Sequence, residues 1–571
     1  MVNLKINGIS VSVPEGSTIL QAAKLANVRI PTLCYLKEVQ CAGSCRMCLV
    51  EATGARGLVA ACVYPVSEGM EVRTNTPKVR KSRKTSLELL LSTHKKKCLS
   101  CVRSMNCELQ KLALEYNAEE DKFGTDHYDR PIDDLSPSVV RDNSKCVMCT
   151  RCVAACEKQT IGAIGPKNRG YAKVIGSPFD VSLAHTTCVN CGQCIVACPV
   201  GALYEKSSIA DVWGAIVDDT KKVVFFTAPS VRATLGEAFG LPVGTNVEGK
   251  MVTAIKQLGD VECFNMDTTA DLTIMEEANE LLARVKTGGT IPMFTSCCPG
   301  WIKFCEHYYP EFLPNLSSCK SPQEMFSAVL KTYYCQKNGI KPEDLFVVSV
   351  IPCTAKKFEL TRDELGHNTD ACITTRELAK MIKEAGIDFV NLPDSDYDDP
   401  FGIASGAGAI FGATGGVMEA ALRTAANALG DEDEPIVFNE VRGTEGVKEA
   451  MFTLGGVRVS VAVASGLGNA RKILEDIKSG RKNYTFVEVM ACPGGCINGG
   501  GQPYVHDEIR NNVDLKTLRA QALYDYDSDS KARCSHENAN VTKLYEEFFG
   551  EPNSHKAHEL LHTTYEIRPK Y

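Results

Sequence analysis

The chain has 571 residues, enough for about three or four domains, and its 63 basic against 70 acidic side chains leave a net charge of −7. That balance excludes a polybasic protein and argues against nucleic acid as a partner. Apolar residues at 44% and charged residues at 23% are ordinary for a globular protein, and no stretch reaches the run of about 18 apolar residues that crosses a membrane. The anomaly is cysteine: 27 in all, 16 of them within residues 1–205 and mostly in short-spaced clusters. An odd count in a long chain disfavours a disulfide framework, and thiols so spaced read as metal ligands.

The first unit spans residues 1–78. Val2, Leu4 and Ile6, then Ile9, Val11 and Val13, alternate as two strands that meet at Asn7-Gly8, a hairpin signal. This start reads as a strand rather than a signal peptide, so a cytoplasmic location is expected. Thr18 caps a helix through Ile19, Leu20 and Leu25. Cys34, Cys45, Cys48 and Cys62 follow as C-x10-C-x2-C-x13-C, which keeps the central C-x2-C of plant-type [2Fe–2S] ferredoxins with a longer first gap. The unit resembles the β-grasp [2Fe–2S] domain of multi-domain dehydrogenases, with a zinc loop as the rival reading. Gly43 and Gly54 would let backbone amides approach the sulfurs. Cys41 lies outside the pattern.

Residues 79–117 carry His94, Cys98, Cys101 and Cys107 as H-x3-C-x2-C-x5-C. A helix predicted over Thr85–Thr93 delivers His94 to the cysteine loop. Spacing alone leaves a zinc site of one histidine and three cysteines as a fair rival. The segment resembles the [4Fe–4S] region, likewise with one histidine and three cysteines, that follows ferredoxin-like domains in iron hydrogenases and respiratory dehydrogenases. The basic runs Lys78–Lys84 and Lys95–Lys97 read as solvated faces, with a docking patch for an acidic electron carrier as the sharper reading. Residues 118–137, acidic and containing prolines, read as a linker.

Residues 138–209 contain an internal repeat. Cys146, Cys149, Cys152 and Cys156 form C-x2-C-x2-C-x3-C, and Cys188, Cys191, Cys194 and Cys198 repeat it 42 residues later, with Pro199 completing the second run. In two-cluster ferredoxins the fourth cysteine of each run ligates the other cluster. The expected sets are Cys146, Cys149 and Cys152 with Cys198, and Cys188, Cys191 and Cys194 with Cys156. Residues 1–205 therefore read as an electron wire of four clusters, one [2Fe–2S] and three [4Fe–4S].

Residues 210–571 read as α/β. Val223–Thr227, Ile291–Phe294 and Phe346–Val350 are short apolar runs, and Met275–Lys286 and Thr375–Glu384 are helical stretches among them, which suggests parallel sheets with crossover helices. The whole is a multi-domain α+β and α/β chain. Cysteines stand just past strand ends: Cys297 and Cys298, then Cys353, then Cys492 and Cys496 after Val487–Met490. Ligands collect at the carboxyl ends of strands in such sheets, so four converging thiolates could hold a [4Fe–4S] cluster.

The strings TSCCPGW, PCTAKKFE and MACPGGCINGGGQP resemble, in order and spacing, the three signature motifs of [FeFe]-hydrogenases. The likeness covers essentially the whole chain, including the tail of about 510–571, where Ser535–His562 resembles a segment that is a separate small subunit in some relatives. The resemblance implies two sheet lobes around a buried H-cluster, a [4Fe–4S] unit joined to a diiron unit with CO, cyanide and a dithiolate bridge. It implies that Cys298, Cys353, Cys492 and Cys496 hold the cubane, with Cys496 bridging. Ser230 and Lys356 match positions that bond the cyanides. Pro229, Gln323 and Met490 match further pocket positions. Ile351 departs, because many members have Met there, and a branched alkyl group replaces a flexible thioether.

The resemblance also implies a proton route through Cys297, Glu277, Ser317, Glu280 and Arg284. Glu277 and Glu280 are three apart and share one helix face; read alone, they and Glu276 would make an exposed acidic face. The partners implied are ferredoxin or a similar electron carrier and maturation proteins for the diiron unit. Pro493 and the string Gly466-Leu-Gly-Asn-Ala-Arg471 resemble the catalytic subunits of NAD(P)-linked, electron-bifurcating complexes. No flavin or nicotinamide motif is present, so that role needs flavoprotein partner subunits. The glycine-rich stretch Ser405–Gly416 matches no nucleotide fingerprint. A hydrogen sensor, an iron–sulfur assembly protein and a dehydrogenase subunit like that of respiratory complex I are the other classes. Cys41, Cys263, Cys305, Cys319, Cys335, Cys372 and Cys534 fit no cluster and are expected as buried apolar packing, with Cys319, close to Ser317, as an oxidation candidate.

Overall fold

The computed structural model describes residues 1–124, 130–430 and 437–570. The N-terminal alternation folds as expected. Val2–Ile6 and Ile9–Val13 pair antiparallel, from Val2↔Val13 to Ile6↔Ile9, with Asn7 and Gly8 at φ +50° and +86° in the turn. Val2–Ile6 also pairs in parallel with Glu71–Arg73, and Leu49–Ala52 and Val59–Ala60 complete a five-stranded sheet. The helix Ile19–Leu25 is capped reciprocally by Thr18 and Gln21 and packs Ile19, Ala22 and Ala23 with Ile6, Val50 and Val72.

The helix that leads to His94 runs Pro77–Ser92, longer than the predicted Thr85–Thr93, because Thr76 caps it and Pro77 opens its first turn. This extension turns part of the basic run inward. Arg83 is buried and donates to the Leu49 carbonyl at 2.6 Å and the Tyr116 hydroxyl at 3.1 Å, so the run is not a wholly solvated face. The expected linker is also partly ordered. Lys84 meets Glu119 at 3.2 Å, and Ile132–Asp133 joins Val139–Asp142 and Leu203–Glu205 in a three-stranded sheet. Residues 125–129 of that linker lie outside the described residues. The cysteine repeat folds as two matching helices, Arg151–Lys158 and Gln193–Ala197, each entered through a left-handed residue, Thr150 at φ +61° and Gly192 at φ +69°.

Two four-stranded sheets build the C-terminal region. In the first, Val261–Asn265, Lys222–Thr227, Leu345–Ile351 and Ala371–Thr374 lie side by side and all parallel. In the second, Met293–Phe294, Phe486–Met490 and Val457–Ser465 are parallel. Its last strand, Val447–Leu454, turns back antiparallel through Gly455-Gly456 at φ +52° and +80°. The second sheet is therefore mixed where parallel strands were expected. The helix predicted over Met275–Lys286 extends to Asp267–Thr287 and packs into the cores of both sheets through Leu272 and Ile274. No described helix is long and apolar enough to cross a membrane.

Candidate active site

Strand ends from both sheets converge. Lys222–Thr227 runs into the short helix Pro229–Arg232, Met293–Phe294 into Cys297 and Cys298, Leu345–Ile351 into Cys353, and Phe486–Met490 into Cys492. Cys298, Cys353, Cys492 and Cys496 line one small cavity together with Met490 and Cys191. Gly494 and Gly495, at φ +91° and +97°, bend the chain so that Cys496 faces back into it, and a Cβ on Gly495 would stand 2.6 Å from the Thr414 amide. Burial first, then the neighbouring thiols, push Cys353 and Cys492 well above the usual thiol range. Four such thiols packed together form a donor set that bound iron would neutralise, because metal binding removes their protons. All the cysteines are free thiols, as the ligand reading requires.

Beside this cavity lies a buried polar group of the chain's own making. Lys356 Nζ donates to the Cys297 carbonyl at 3.2 Å and to Glu359 Oε2 at 2.8 Å. Burial opposes the ammonium charge, but Glu359 and the Cys353 and Cys297 thiols outweigh it and hold the pKa raised. Gln323 Nε2 and Ser321 Oγ also donate to Glu359 Oε2, each at 3.0 Å. Ser230 Oγ, Gln323 Oε1 and both oxygens of the Glu277 carboxyl are among the buried polar atoms left with no hydrogen-bond partner. Such orphans fit a pocket built for a polar ligand. Gly412 packs on Ser230, and its carbonyl accepts the Ile497 amide at 2.9 Å, which brings Ser230 next to the Cys496 loop. Ile351 is buried in the core with Cys353.

The acidic helix is not an exposed face. Glu276 and Glu277 are both fully buried. Burial first, then the charge of Glu280, push the Glu277 carboxyl up to about 8, while Ser317 and the Ser296 amide approach it without a well-formed bond. Ser317 Oγ donates to Glu280 Oε2 at 2.8 Å, and Arg284 holds Glu280 Oε1 at 2.6 Å while also donating to the Leu316 carbonyl at 2.7 Å. Burial and then Glu277 push the Cys297 thiol well above its usual range. Ser317, Glu280 and Arg284 are hydrogen-bonded in that order, and Cys297 and Glu277 lie near enough to feel each other's charge.

Among the N-terminal thiols, some of the expected partners stand together. Cys34 Sγ accepts the Cys45 amide at 3.5 Å, and Cys48 and Cys62 sulfurs stand 3.4 Å apart. Cys41 is exposed rather than buried, its thiol 2.5 Å from the Cys62 carbonyl. His94 is buried with Nδ1 3.0 Å from the Lys145 carbonyl, and Cys107 stands at the N-terminal cap of the helix Glu108–Glu115. Cys146, Cys149, Cys152 and Cys198 line a single cavity, the crossed arrangement read from the repeat. Gln40 Nε2 bridges the Cys34 carbonyl at 3.0 Å and the Cys149 carbonyl at 2.6 Å, so the first loop touches the first run of the repeat. At the other end, Thr354 Oγ1 donates to the Asn190 carbonyl at 2.7 Å, and Gly192 packs on Gly500. Sequence reasoning missed Glu359, although its place three residues after Lys356 on the helix Ala355–Glu359 is an ion-pair spacing. It also missed Tyr545, Asn553 and His562, tail residues that surround Glu276.

Known proteins share this design along the whole chain. Residues 221–500 match the family described as "Iron only hydrogenase large subunit, C-terminal domain", and residues 513–568 match "Iron hydrogenase small subunit". Residues 1–77 match a 2Fe–2S iron–sulfur cluster binding domain, 83–122 the NADH-ubiquinone oxidoreductase-G iron–sulfur binding region, and 145–202 a 4Fe–4S dicluster domain. The NADP-reducing hydrogenase subunit HndD of Solidesulfovibrio fructosivorans is 47% identical, covering 99% of either chain. Iron hydrogenase 1 of Clostridium pasteurianum is 45% identical over 99% of this chain and 100% of its own. A solved [FeFe]-hydrogenase from Chlamydomonas reinhardtii aligns with a TM-score of 0.57 and 39% identity over 63% of this chain and 99% of its own.

Proposed function

The chain belongs to the iron-only hydrogenase family, and from that premise we propose that it interconverts dihydrogen with protons and electrons, 2H⁺ + 2e⁻ ⇌ H₂. The observation that carries this reading is the convergence of four strand-end thiols on one cavity, next to an unpartnered buried acid. Cys298, Cys353, Cys492 and Cys496 would hold the [4Fe–4S] part of the H-cluster, and Cys496 would also serve the diiron unit. When bound, the diiron unit with its CO, cyanide and dithiolate ligands supplies the redox chemistry at hydrogen. Lys356 and Ser230 present donors to anionic ligands, and the Glu359 pair holds Lys356 in place. Pro229, Gln323, Ile351 and Met490 are buried and would wall the diiron pocket.

The chain's own residues move the proton. The Cys297 thiol takes or gives it, and Glu277, neutral near pH 7, passes it on. The Ser317 hydroxyl relays it to Glu280, which Arg284 positions towards solvent. Cys34, Cys45, Cys48 and Cys62 would hold a [2Fe–2S] cluster, which would supply one-electron transfer. His94, Cys98, Cys101 and Cys107 would hold one [4Fe–4S] cluster, and the two crossed sets of the repeat would hold two more. Cys191 lines the same cavity as Cys298, Cys353, Cys492 and Cys496, so a cluster it helped to hold would lie next to that cavity.

Ferredoxin or a similar carrier is the simplest partner, in a cytoplasmic setting. A second reading, catalytic subunit of an NAD(P)-linked bifurcating complex with flavoprotein partners, is favoured by the full-length likeness to a NADP-reducing hydrogenase subunit. The deciding experiment is anaerobic H₂ evolution from reduced methyl viologen after supply of a diiron cofactor. Activity that depends on that cofactor supports the reading. An assembled H-cluster without turnover would sink it in favour of a sensor or scaffold.

A further inference from the structure

Glu280 of the proton route stands beside two side chains that the route does not use, Cys319 and His562. Glu280, Cys319 and His562 each offer one ligand atom, and the three atoms lie within 4.8 Å of one another. They come from three separate elements: the helix Asp267–Thr287, the extended segment after Pro310–Asn315, and the end of the tail helix His555–Leu561. We propose that Glu280, Cys319 and His562 form a binding site for one Zn²⁺ ion or a similar borderline-soft divalent cation.

The backbone fixes the donors before any metal arrives. Cys319 and His562 form a β-bridge, with the Lys320 amide on the Leu561 carbonyl at 2.8 Å and the Thr563 amide on the Ser318 carbonyl at 2.7 Å. Cys319 Sγ stands 3.9 Å from Glu280 Oε2. His562 Nε2 lies 3.1 Å from Glu276 Oε2, and Nδ1 lies 2.8 Å from Ser318 Oγ. A metal-binding histidine ordinarily gives its second ring nitrogen to a carboxylate, which orients the ring. Glu276 is such a carboxylate, so Nδ1 is the nitrogen for the metal, and the Ser318 hydroxyl yields its place. Thiolate, imidazole and carboxylate with an open fourth position for water suit tetrahedral zinc. Binding releases the Cys319 thiol proton to solvent; thiolate and carboxylate then balance the two positive charges, and nothing is oxidised or reduced.

The consequence rests on the proton-route reading. Arg284 holds Glu280 Oε1, so the oxygen turned towards Cys319 is Oε2, the same atom that accepts the Ser317 hydroxyl. A metal on Oε2 breaks the Ser317–Glu280 link and closes the route.

The test uses the full chain with its iron–sulfur clusters, titrated anaerobically with zinc sulfate while iron content is followed. Zinc-edge X-ray absorption should find one zinc per chain with a single sulfur near about 2.3 Å and nitrogen or oxygen near about 2.0–2.1 Å. Cys319→Ala should lose the sulfur neighbour and weaken zinc by more than the ~10–100-fold of an outer-shell change. His562→Gln should weaken binding comparably while keeping the sulfur, which covers failure of the first variant to fold. Zinc without a sulfur neighbour, or wild-type affinity in both variants, overturns the site. In the loaded enzyme, zinc should stop H₂ evolution in the wild type and spare Cys319→Ala at tenfold higher concentration. Sulfur-ligated zinc with unchanged evolution would leave the site standing and remove the route through Glu280.

Discussion

Replacing Glu277 by Gln is the sharpest test of the acid at the centre of the route. The side chain is fully buried, and burial with the nearby Glu280 raises its carboxyl to about 8 from the usual 4.5. Its folded pKa lies above the unfolded one, so its contribution to stability is full below about pH 4.5 and is lost as pH rises towards 8. At pH 7 that loss is about 3 kcal/mol, from 1.36 kcal/mol per decade of proton affinity. The protein tolerates this because a neutral acid can give and take a proton near neutrality, as an ordinary ionised carboxylate cannot. Glu277→Gln keeps the size, removes the proton and removes that pH dependence. H₂ evolution should fall by about 10²–10⁴-fold with iron content unchanged. Infrared titration should find a protonated carboxyl band in the wild type that disappears around pH 8 and is missing from the variant. A variant with more than half of wild-type turnover, or a band that vanishes near pH 4.5, would refute the reasoning.

Three further outcomes follow from the same geometry. Cys297→Ala should lower turnover by about 100-fold or more while every cluster assembles, read by iron analysis beside the H₂ assay. Lys356→Ala leaves Glu359 buried without its cation and should destabilise the fold by about 3–5 kcal/mol; a thermal scan equal to wild type would show that the pair does not hold the pocket. Gly500→Ala puts a Cβ 2.6 Å from the Gly192 Cα, at the junction of repeat and catalytic region. It should destabilise that junction by about 1–3 kcal/mol, measured as faster hydrogen exchange around Cys191; unchanged exchange there would refute the close approach.

Much of this design was legible because cysteine spacing is discrete. The two runs of the repeat named their crossed set, and Cys146, Cys149 and Cys152 do share a cavity with Cys198. Strand-end positions made Cys297, Cys298, Cys353, Cys492 and Cys496 candidates, the family resemblance singled out the last four, and those four line one cavity. What could not be read depended on partners far along the chain. Arg83 sits in a basic run that looks solvated, yet its guanidinium reaches the Leu49 carbonyl. The turn at Gly455-Gly456 reversed an edge strand, since a pair of glycines does not state which way the next strand runs. Helix starts were set too late, at Thr85 and Met275, because apolar periodicity marks the buried face and not the cap.

The adjacent acids Glu276 and Glu277 carry this point furthest. They are the same residue type on the same helix and equally buried, so no local pattern separates them. The tail separates them. Glu276 Oε1 accepts the Tyr545 hydroxyl at 2.5 Å, and Oε2 accepts the Asn553 amide at 2.8 Å and faces His562 at 3.1 Å. The tail also steadies the route's next member, since the Tyr565 hydroxyl donates to the Ser317 carbonyl at 2.6 Å. Glu276 is therefore a structural acceptor that ties the tail to the helix. Glu277, one position on, meets no tail group and keeps both oxygens without a partner. An acid so placed is held neutral by burial and has no fixed bond to break before it moves a proton. The tail, which matches a small subunit in the family, thus occupies Glu276 and leaves Glu277, the acid proposed to carry the proton, without a partner.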